Sequence, residues 1–196
     1  PEELGYSQQY YAKRSCHLVE VRTDAGITGW GECFGPGPIA RVTRAIVEGV
    51  IAPLIVGKRA FDREVIWHEV YNRLRDHGQK GMPIQALSGV DIALWDAAGK
   101  ALGVPLTTLL GGRFRDTVPV YGDGMMLRRM DTPSLAARFA AEARELEAQG
   151  FRALKMKVGH GPAADIALVE ATRDALSDDT ALMVDASHAY HVTDAL

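Results

Sequence analysis

The sharpest pattern of apolar and polar positions lies in residues 151–189, FRALKMKVGHGPAADIALVEATRDALSDDTALMVDASHA. Residues 152–157 alternate, with Leu154 and Met156 on one face and Lys155 and Lys157 on the other, and a strand spaces that lysine pair about 6.5–7 Å apart. Residues 180–185 (TALMVD) are apolar until the last, and Ser187 falls two positions on, so Asp185 and Ser187 can point the same way. Between the two runs, Ile166, Val169, Ala171 and Leu176 recur at roughly helical spacing and Asp178-Asp179 marks a turn. The pattern predicts a βαβ unit. Its crossover makes the strands parallel neighbours with both carboxyl ends on one rim, and in open α/β sheets and barrels that rim binds ligands.

Upstream, residues 1–14 (PEELGYSQQYYAKR) are polar, show no clean period and read as a loop or flap in which Tyr6, Tyr10 and Tyr11 can cover a pocket. Residues 16–23 (CHLVEVRT) and 27–33 (ITGWGEC) alternate around Asp24-Ala25-Gly26 and predict a hairpin. Residues 34–38 (FGPGP) break the chain and offer a second covering loop. Ile39, Val42, Ile46 and Val50 then mark a helix ended by Pro53, and Asp62 is expected to cap another with Val65, Ile66, Val70 and Leu74 on its face. Residues 83–102 form the strongest predicted helix, with Ile84, Leu87, Val90, Leu94 and Ala98 apolar and Gly103 as its stop. Asp91 and Asp96 interrupt it, and Asp91 is read as a structural partner rather than a catalytic acid. From residue 118 the order changes: VPVY reads as a strand, residues 133–149 as a helix capped by Asp131 or Thr132 with Leu135, Phe139, Ala143 and Leu146 buried, and then comes the βαβ unit. HVTDAL at the end reads as the start of another helix.

An α+β arrangement over residues 1–115 thus gives way to strand–helix alternation over 116–196, and the alternation signals a parallel sheet. Three parallel strands cannot close a barrel and leave exposed edges, so a longer protein is expected. The chain holds 196 residues, 47% hydrophobic, with net charge −3 and a pI near 6.1, and has no basic block. No nucleic-acid partner is expected, and no apolar run approaches the roughly 18 residues of a membrane span. Without a recognisable signal peptide, the two cysteines, Cys16 and Cys33, are expected to be reduced core thiols of a cytoplasmic protein.

The residues GWGEC after the hairpin, SGVDIALWDAAGKALGVPLTTLLGG, ALKMKVG, and VDASHAY about thirty residues on appear in an order and spacing that resembles the enolase superfamily, in its mandelate racemase and muconate lactonizing enzyme branch. The likeness covers almost the whole chain. It implies an α+β capping domain over residues 1–115 and, over 116–196, the first three βα units of a modified (β/α)7β TIM barrel. It also implies a Mg²⁺ site that stabilises the enediolate formed when a base removes the proton α to a carboxylate. Carried over residue by residue, Lys157 is the base, Lys155 its partner and Asp185 the first of three carboxylate ligands of Mg²⁺. The other ligands, and any His-Asp base pair, belong to later strands. Ser187 departs from the Asn that many racemase-like members carry there. Ser187 and His188 are expected to meet the substrate, and His160 less so.

The chemistry required agrees with this reading. A proton beside a carboxylate is weakly acidic, so fixed positive charge must await the dianionic enediolate. Aspartate is a hard oxygen ligand of the kind that Mg²⁺ takes, and a lysine base at neutral pH needs positive neighbours that disfavour its own charge. The expected substrate is a small carboxylate, a sugar acid or hydroxy acid, with dehydration the leading outcome and racemisation or cycloisomerisation variants of the same first step. A homo-oligomer is the corresponding expectation. The contrasting expectation is a non-catalytic, truncated member that keeps the cap and half a barrel.

Overall fold

A computed structural model of the chain describes residues 3–6, 9–35, 37 and 39–196. In chain order the elements are β1 (Leu4–Tyr6), β2 (Gln9–Tyr11), β3 (His17–Arg22), β4 (Thr28–Cys33), α1 (Ile39–Ile46), a π-helical turn (Val47–Ile51), α2 (Ala52–Ile55), α3 (Arg63–Leu74), α4 (Met82–Leu102), α5 (Leu106–Leu109), β5 (Gly122–Asp123), α6 (Thr132–Ala148), β6 (Ala153–Lys157), α7 (Pro162–Asp174), β7 (Ala181–Asp185) and α8 (Val192–Ala195). They divide into two compact units, Lys13–Asp116 and a second that joins residues up to Ala12 to Thr117–Leu196. Among the described residues no helix is long and apolar enough to cross a membrane.

The Lys13–Asp116 unit is an antiparallel ribbon, β3 with β4, laid on α4. GWGE has a packing explanation. A Cβ at Gly29 would lie 2.0 Å from the Ala93 carbonyl, one at Gly31 2.0 Å from that of Gly89, and one at Gly89 2.3 Å from Cys33 Sγ. The ribbon and the helix therefore touch backbone to backbone, with Ala86, Ala93 and Ala97 completing the small-residue face. Gly31→Ala must push this helix off the ribbon, so a loss of about 3 kcal/mol is expected for an overpacked contact of this kind. All three tryptophans (Trp30, Trp67 and Trp95) lie in this unit, so urea unfolding followed by tryptophan fluorescence reads the loss.

Asp96, which interrupts the apolar pattern of α4, accepts the Trp30 N–H at 2.8 Å and the Lys100 ammonium at 2.6 Å. The Lys100 hydrogen bond, with that N–H second, holds its carboxyl below the usual range. A depressed folded value adds stability that is full above the unfolded pKa of about 3.9 and is lost as pH falls through the folded value. Asp96→Asn is accordingly expected to cost about 1 kcal/mol at pH 7 and to converge with wild type near pH 2, measured by urea melts across pH. Asp91 stands beside Arg63 and Trp95; burial, and secondarily Glu64, push its carboxyl up.

Several expectations are corrected in this unit. Pro53 does not end the first helix but lies inside α2, because the π turn sends the Ala52 N–H to the Val47 carbonyl and shifts the ladder where proline has no N–H to give. Asp62 stands at the N-cap of α3 without a side-chain capping bond, and Val65 faces solvent while Ile66, Val70 and Leu74 are buried. Cys33 is a buried thiol of β4, whereas Cys16 is exposed and precedes β3, so only one cysteine belongs to the core. Both are unpaired. Pro36 and Pro38 of the FGPGP break lie outside the described residues.

In the other unit, the segment expected as a loop forms the β1–β2 hairpin, with Leu4 opposite Tyr11. Ser7 and Gln8, between its strands, and the side chain of Tyr6 lie outside the described residues. Gly5 exchanges two backbone hydrogen bonds with Leu127, of 2.7 and 3.0 Å, so the hairpin belongs with the C-terminal residues rather than with 13–115. The parallel sheet has the order β5–β6–β7. Residues 118–121, expected as its first strand, are unpaired and exposed; the pairing falls on Gly122 and Asp123 instead, and Pro119 lacks the N–H that a ladder uses. Leu154 and Met156 are buried against Leu135, Phe139 and Ala143 of α6 and Leu168 of α7. The Asp131 carboxylate caps α6 by accepting the Ser134 N–H at 3.0 Å. The inward stripe of α7 is Asp165, Leu168 and Thr172, while Ile166 is exposed. Two of those three buried residues are polar, and an apolar periodicity does not count them.

Candidate active site

Parallel pairing sets the site. In register, Asp123 of β5 lies beside Lys155 of β6, and Lys157 beside Asp185 of β7, so the side chains gather at the carboxyl ends of three adjacent strands. Lys157 Nζ donates to Asp185 Oδ2 at 2.5 Å and to Ser187 Oγ at 3.0 Å. Lys155 Nζ lies 3.4 Å from Asp123 Oδ2, 3.6 Å from Asp185 Oδ2 and 3.5 Å from the Tyr121 hydroxyl. The lysine side chains are 19% and 12% exposed, enough shelter for these contacts to exceed ordinary surface pairs.

Asp185 is oriented from its other oxygen: Oδ1 accepts the Ser187 N–H at 2.9 Å and its hydroxyl at 3.0 Å. The Lys157 hydrogen bond, against burial and aided by Ser187, holds the Asp185 carboxyl well below the usual carboxylate range. Burial alone would push Lys155 down, but the Asp123 carboxylate and the Tyr121 hydroxyl together hold its ammonium above the ordinary value. Lys155 is thereby a standing cation. Ser187 and His188 take left-handed backbone, φ 45° and 69°, which turns the Ser187 side chain back toward Lys157.

The structure thus brings Lys155, Lys157, Asp185 and Ser187 together. His188 sits in the same turn, and its side chain has no hydrogen-bond partner among the described residues. His160 joins a different contact, its Nε2 hydrogen-bonded to the Tyr10 hydroxyl at 2.8 Å. Arg129 lies over the Tyr10 ring at 4.3 Å. Tyr121 and Asp123 were not anticipated. The signal existed, a polar residue at the end of an apolar strand as in TALMVD, but a strand placed at 118–121 leaves Asp123 outside it.

Among the described residues no three His, Cys, Asp or Glu side chains converge on one point. Asp185 nevertheless fits a hard divalent cation in kind: it is an anionic oxygen donor, fixed at Oδ1, whose Oδ2 already takes positive charge. Two cationic side chains facing a fixed carboxylate at a parallel-strand rim can bind a small carboxylate and move a proton beside it.

These features define an α/β protein with its polar chemistry at the carboxyl edge of a parallel sheet. Residues 6–111 match the mandelate racemase / muconate lactonizing enzyme N-terminal domain, and residues 138–196 the enolase C-terminal domain-like family. The chain belongs to the mandelate racemase / muconate lactonizing enzyme family of the enolase superfamily. It is 43% identical to D-galactarolactone cycloisomerase of Agrobacterium fabrum, over 95% of this chain and 48% of that protein. Against arabinonate dehydratase of Saccharolobus solfataricus it is 29% identical, over 91% of this chain and 47% of the relative. A racemase from Streptomyces coelicolor A3(2), solved with bound magnesium, superposes with a TM-score of 0.88 at 32% identity, over 100% of this chain and 54% of that one. The chain spans about half the length of the curated relatives it matches.

Proposed function

We propose that this chain is the capping domain and the first three βα units of a (β/α)7β barrel in an enzyme that removes the proton α to the carboxylate of a sugar acid or its lactone. The observation that carries the reading is the convergence of Lys155 and Lys157 on Asp185 at one strand rim. Lys155, clamped by Asp123 and Tyr121, presents its ammonium to the substrate carboxylate and to the charge that grows there as the α-proton leaves. Lys157 is the base. In its neutral form the amine can donate its two N–H groups to Asp185 Oδ2 and Ser187 Oγ and still present its one lone pair to the substrate α-proton. Asp185 would hold Mg²⁺ through its carboxylate, with Ser187 keeping Oδ1 in place. When bound, the ion supplies fixed positive charge to the enediolate oxygens.

After that step the outcome depends on the leaving group. Expulsion of a β-hydroxyl is dehydration, the leading outcome under the family resemblance and the activity in the name of the arabinonate relative. The higher identity to a cycloisomerase favours, as the second reading, an isomerisation that begins with the same proton removal.

The test is proton NMR in D₂O of the full-length protein with Mg²⁺ and a panel of aldonic acids, aldaric acids and their lactones. The α-proton of at least one compound should exchange or be lost. A panel that retains every α-proton, with Mg²⁺ present, overturns the proposal.

A further inference from the structure

Outside the lysine cluster, the Asp165 carboxylate, in the first turn of α7 and only 4% exposed, accepts four hydrogen bonds from two separate parts of the chain. Its Oδ2 accepts the N–H groups of Gly159 and Gly161 at 3.0 and 3.1 Å, its Oδ1 that of His160 at 3.2 Å, and the Tyr190 hydroxyl donates to Oδ2 at 2.5 Å. The three backbone donors belong to the loop after β6, the strand of both lysines. Tyr190 belongs to the loop after β7, the strand of Asp185. A capping-box type of contact explains the Gly161 bond, in which a carboxylate one turn into the helix meets the N-cap N–H; the N–H groups of Gly159 and His160 precede the helix and are held as part of the loop. Neither explains a phenol 25 residues away.

The β6–β7 ladder closes with the Val158 N–H on the Asp185 carbonyl. Beyond it, no backbone hydrogen bond among the described residues links the two loops. Yet the loop after β7 must keep Ser187 and His188 at positive φ, a backbone that non-glycine residues hold only when their surroundings impose it. Ser187 is the residue that touches both Lys157 and Asp185.

We propose that Asp165 and Tyr190 form a clasp that fixes the β6–α7 and β7–α8 loops to one another and thereby sets Ser187, and the Asp185 carboxylate it orients, against Lys157. Both are positioning residues; neither touches the reacting atoms. Burial and the Asp165 carboxylate push the Tyr190 phenol up to about 12, as expected of a hydroxyl committed to donating. Asp165 also steadies a third piece, because the His160 whose N–H it holds bonds Tyr10 of β2 through its ring. The catalytic consequence of the clasp rests on the function proposed above; the clasp itself does not.

Tyr190→Phe removes only the phenol oxygen, and Asp165→Asn removes the charged acceptor of both loops. Amide hydrogen exchange of the full-length protein reads each loop separately. In Tyr190→Phe, the amides of Ser187 and Ala189, both hydrogen-bonded here, should exchange at least about tenfold faster, since a bond to a charged acceptor is lost, while those of Gly159, His160 and Gly161 keep their protection. Asp165→Asn should loosen both loops. Where Asp165→Asn fails to fold, Tyr190→Phe alone carries the test. With a substrate found by α-proton exchange, Tyr190→Phe should lower kcat about tenfold at unchanged KM, because the binding groups remain but their alignment does not. Ser187 and Ala189 amides exchanging at the wild-type rate in Tyr190→Phe overturn the clasp, even if that variant melts at a lower temperature. A wild-type protein that exchanges no substrate α-proton counts against the proposed function instead, and the amide rates then decide this inference alone.

Discussion

Lys157→Met in the full-length protein is expected to reduce exchange of the substrate α-proton with solvent deuterium by about 10²–10⁴-fold, the range for removing a positioned acid–base group. Methionine keeps an unbranched apolar stem in the sheltered position next to Asp185 while deleting Nζ, so loss of folding is not the expected cause. Lys155→Met makes the contrast. It removes a cation from the carboxylate-binding side of the pair, so KM should rise by about tenfold or more while measurable exchange persists. Proton NMR of both variants at saturating substrate separates the roles. Exchange that survives in Lys157→Met but vanishes in Lys155→Met would mean that the two lysines have been assigned the wrong way round.

The second large effect concerns Asp185. Asp185→Asn preserves an oxygen for the Ser187 N–H but loses the anionic charge at Oδ2, so Mg²⁺ affinity should fall at least about 100-fold and turnover should be abolished, with far-UV circular dichroism unchanged. Isothermal titration calorimetry with MgCl₂ measures the first part directly. Wild-type affinity in the variant would remove Asp185 from the list of ligands. The same substitution takes the carboxylate oxygen from Lys157, so in a crystal structure of the variant the Lys157 ammonium is expected to move away from position 185 while Lys155 stays with Asp123 and Tyr121.

What was legible in the chain divides along physical lines. Alternation in ALKMK predicts a strand with lysines on one face, and β6 shows that burial pattern, because packing against α6 and α7 buries every second residue. Proline at the first turn and glycine in left-handed backbone at the stop bound α4 as expected. The failures share another cause. Asp123, Asp165 and Tyr190 are polar residues whose placement depends on partners distant in sequence, which a reading based on apolar periodicity passes over. Asp165 was concealed most thoroughly, since it occupies a buried helical position where such a reading looks for an aliphatic residue and finds Ile166 instead, which faces solvent. Tertiary context also overrode local signals at Pro53, which the π turn accommodates, and at residues 118–121, whose β-branched character found no partner strand.

The pairing of Gly5 with Leu127 carries a consequence for biosynthesis. A ribosome adding about 5–20 residues per second leaves the N-terminal hairpin waiting roughly ten seconds for its partner. Lys13–Asp116 is contiguous and emerges whole within that interval, so it can complete its core while the hairpin is still unpaired. Two strands of three residues are too short to persist alone in water, so they stay unpaired until Leu127 emerges. The hairpin is therefore made before Leu127 yet pairs only after it, and a ribosome stalled before residue 127 would display unpaired β1 and β2 segments while Lys13–Asp116 is already folded.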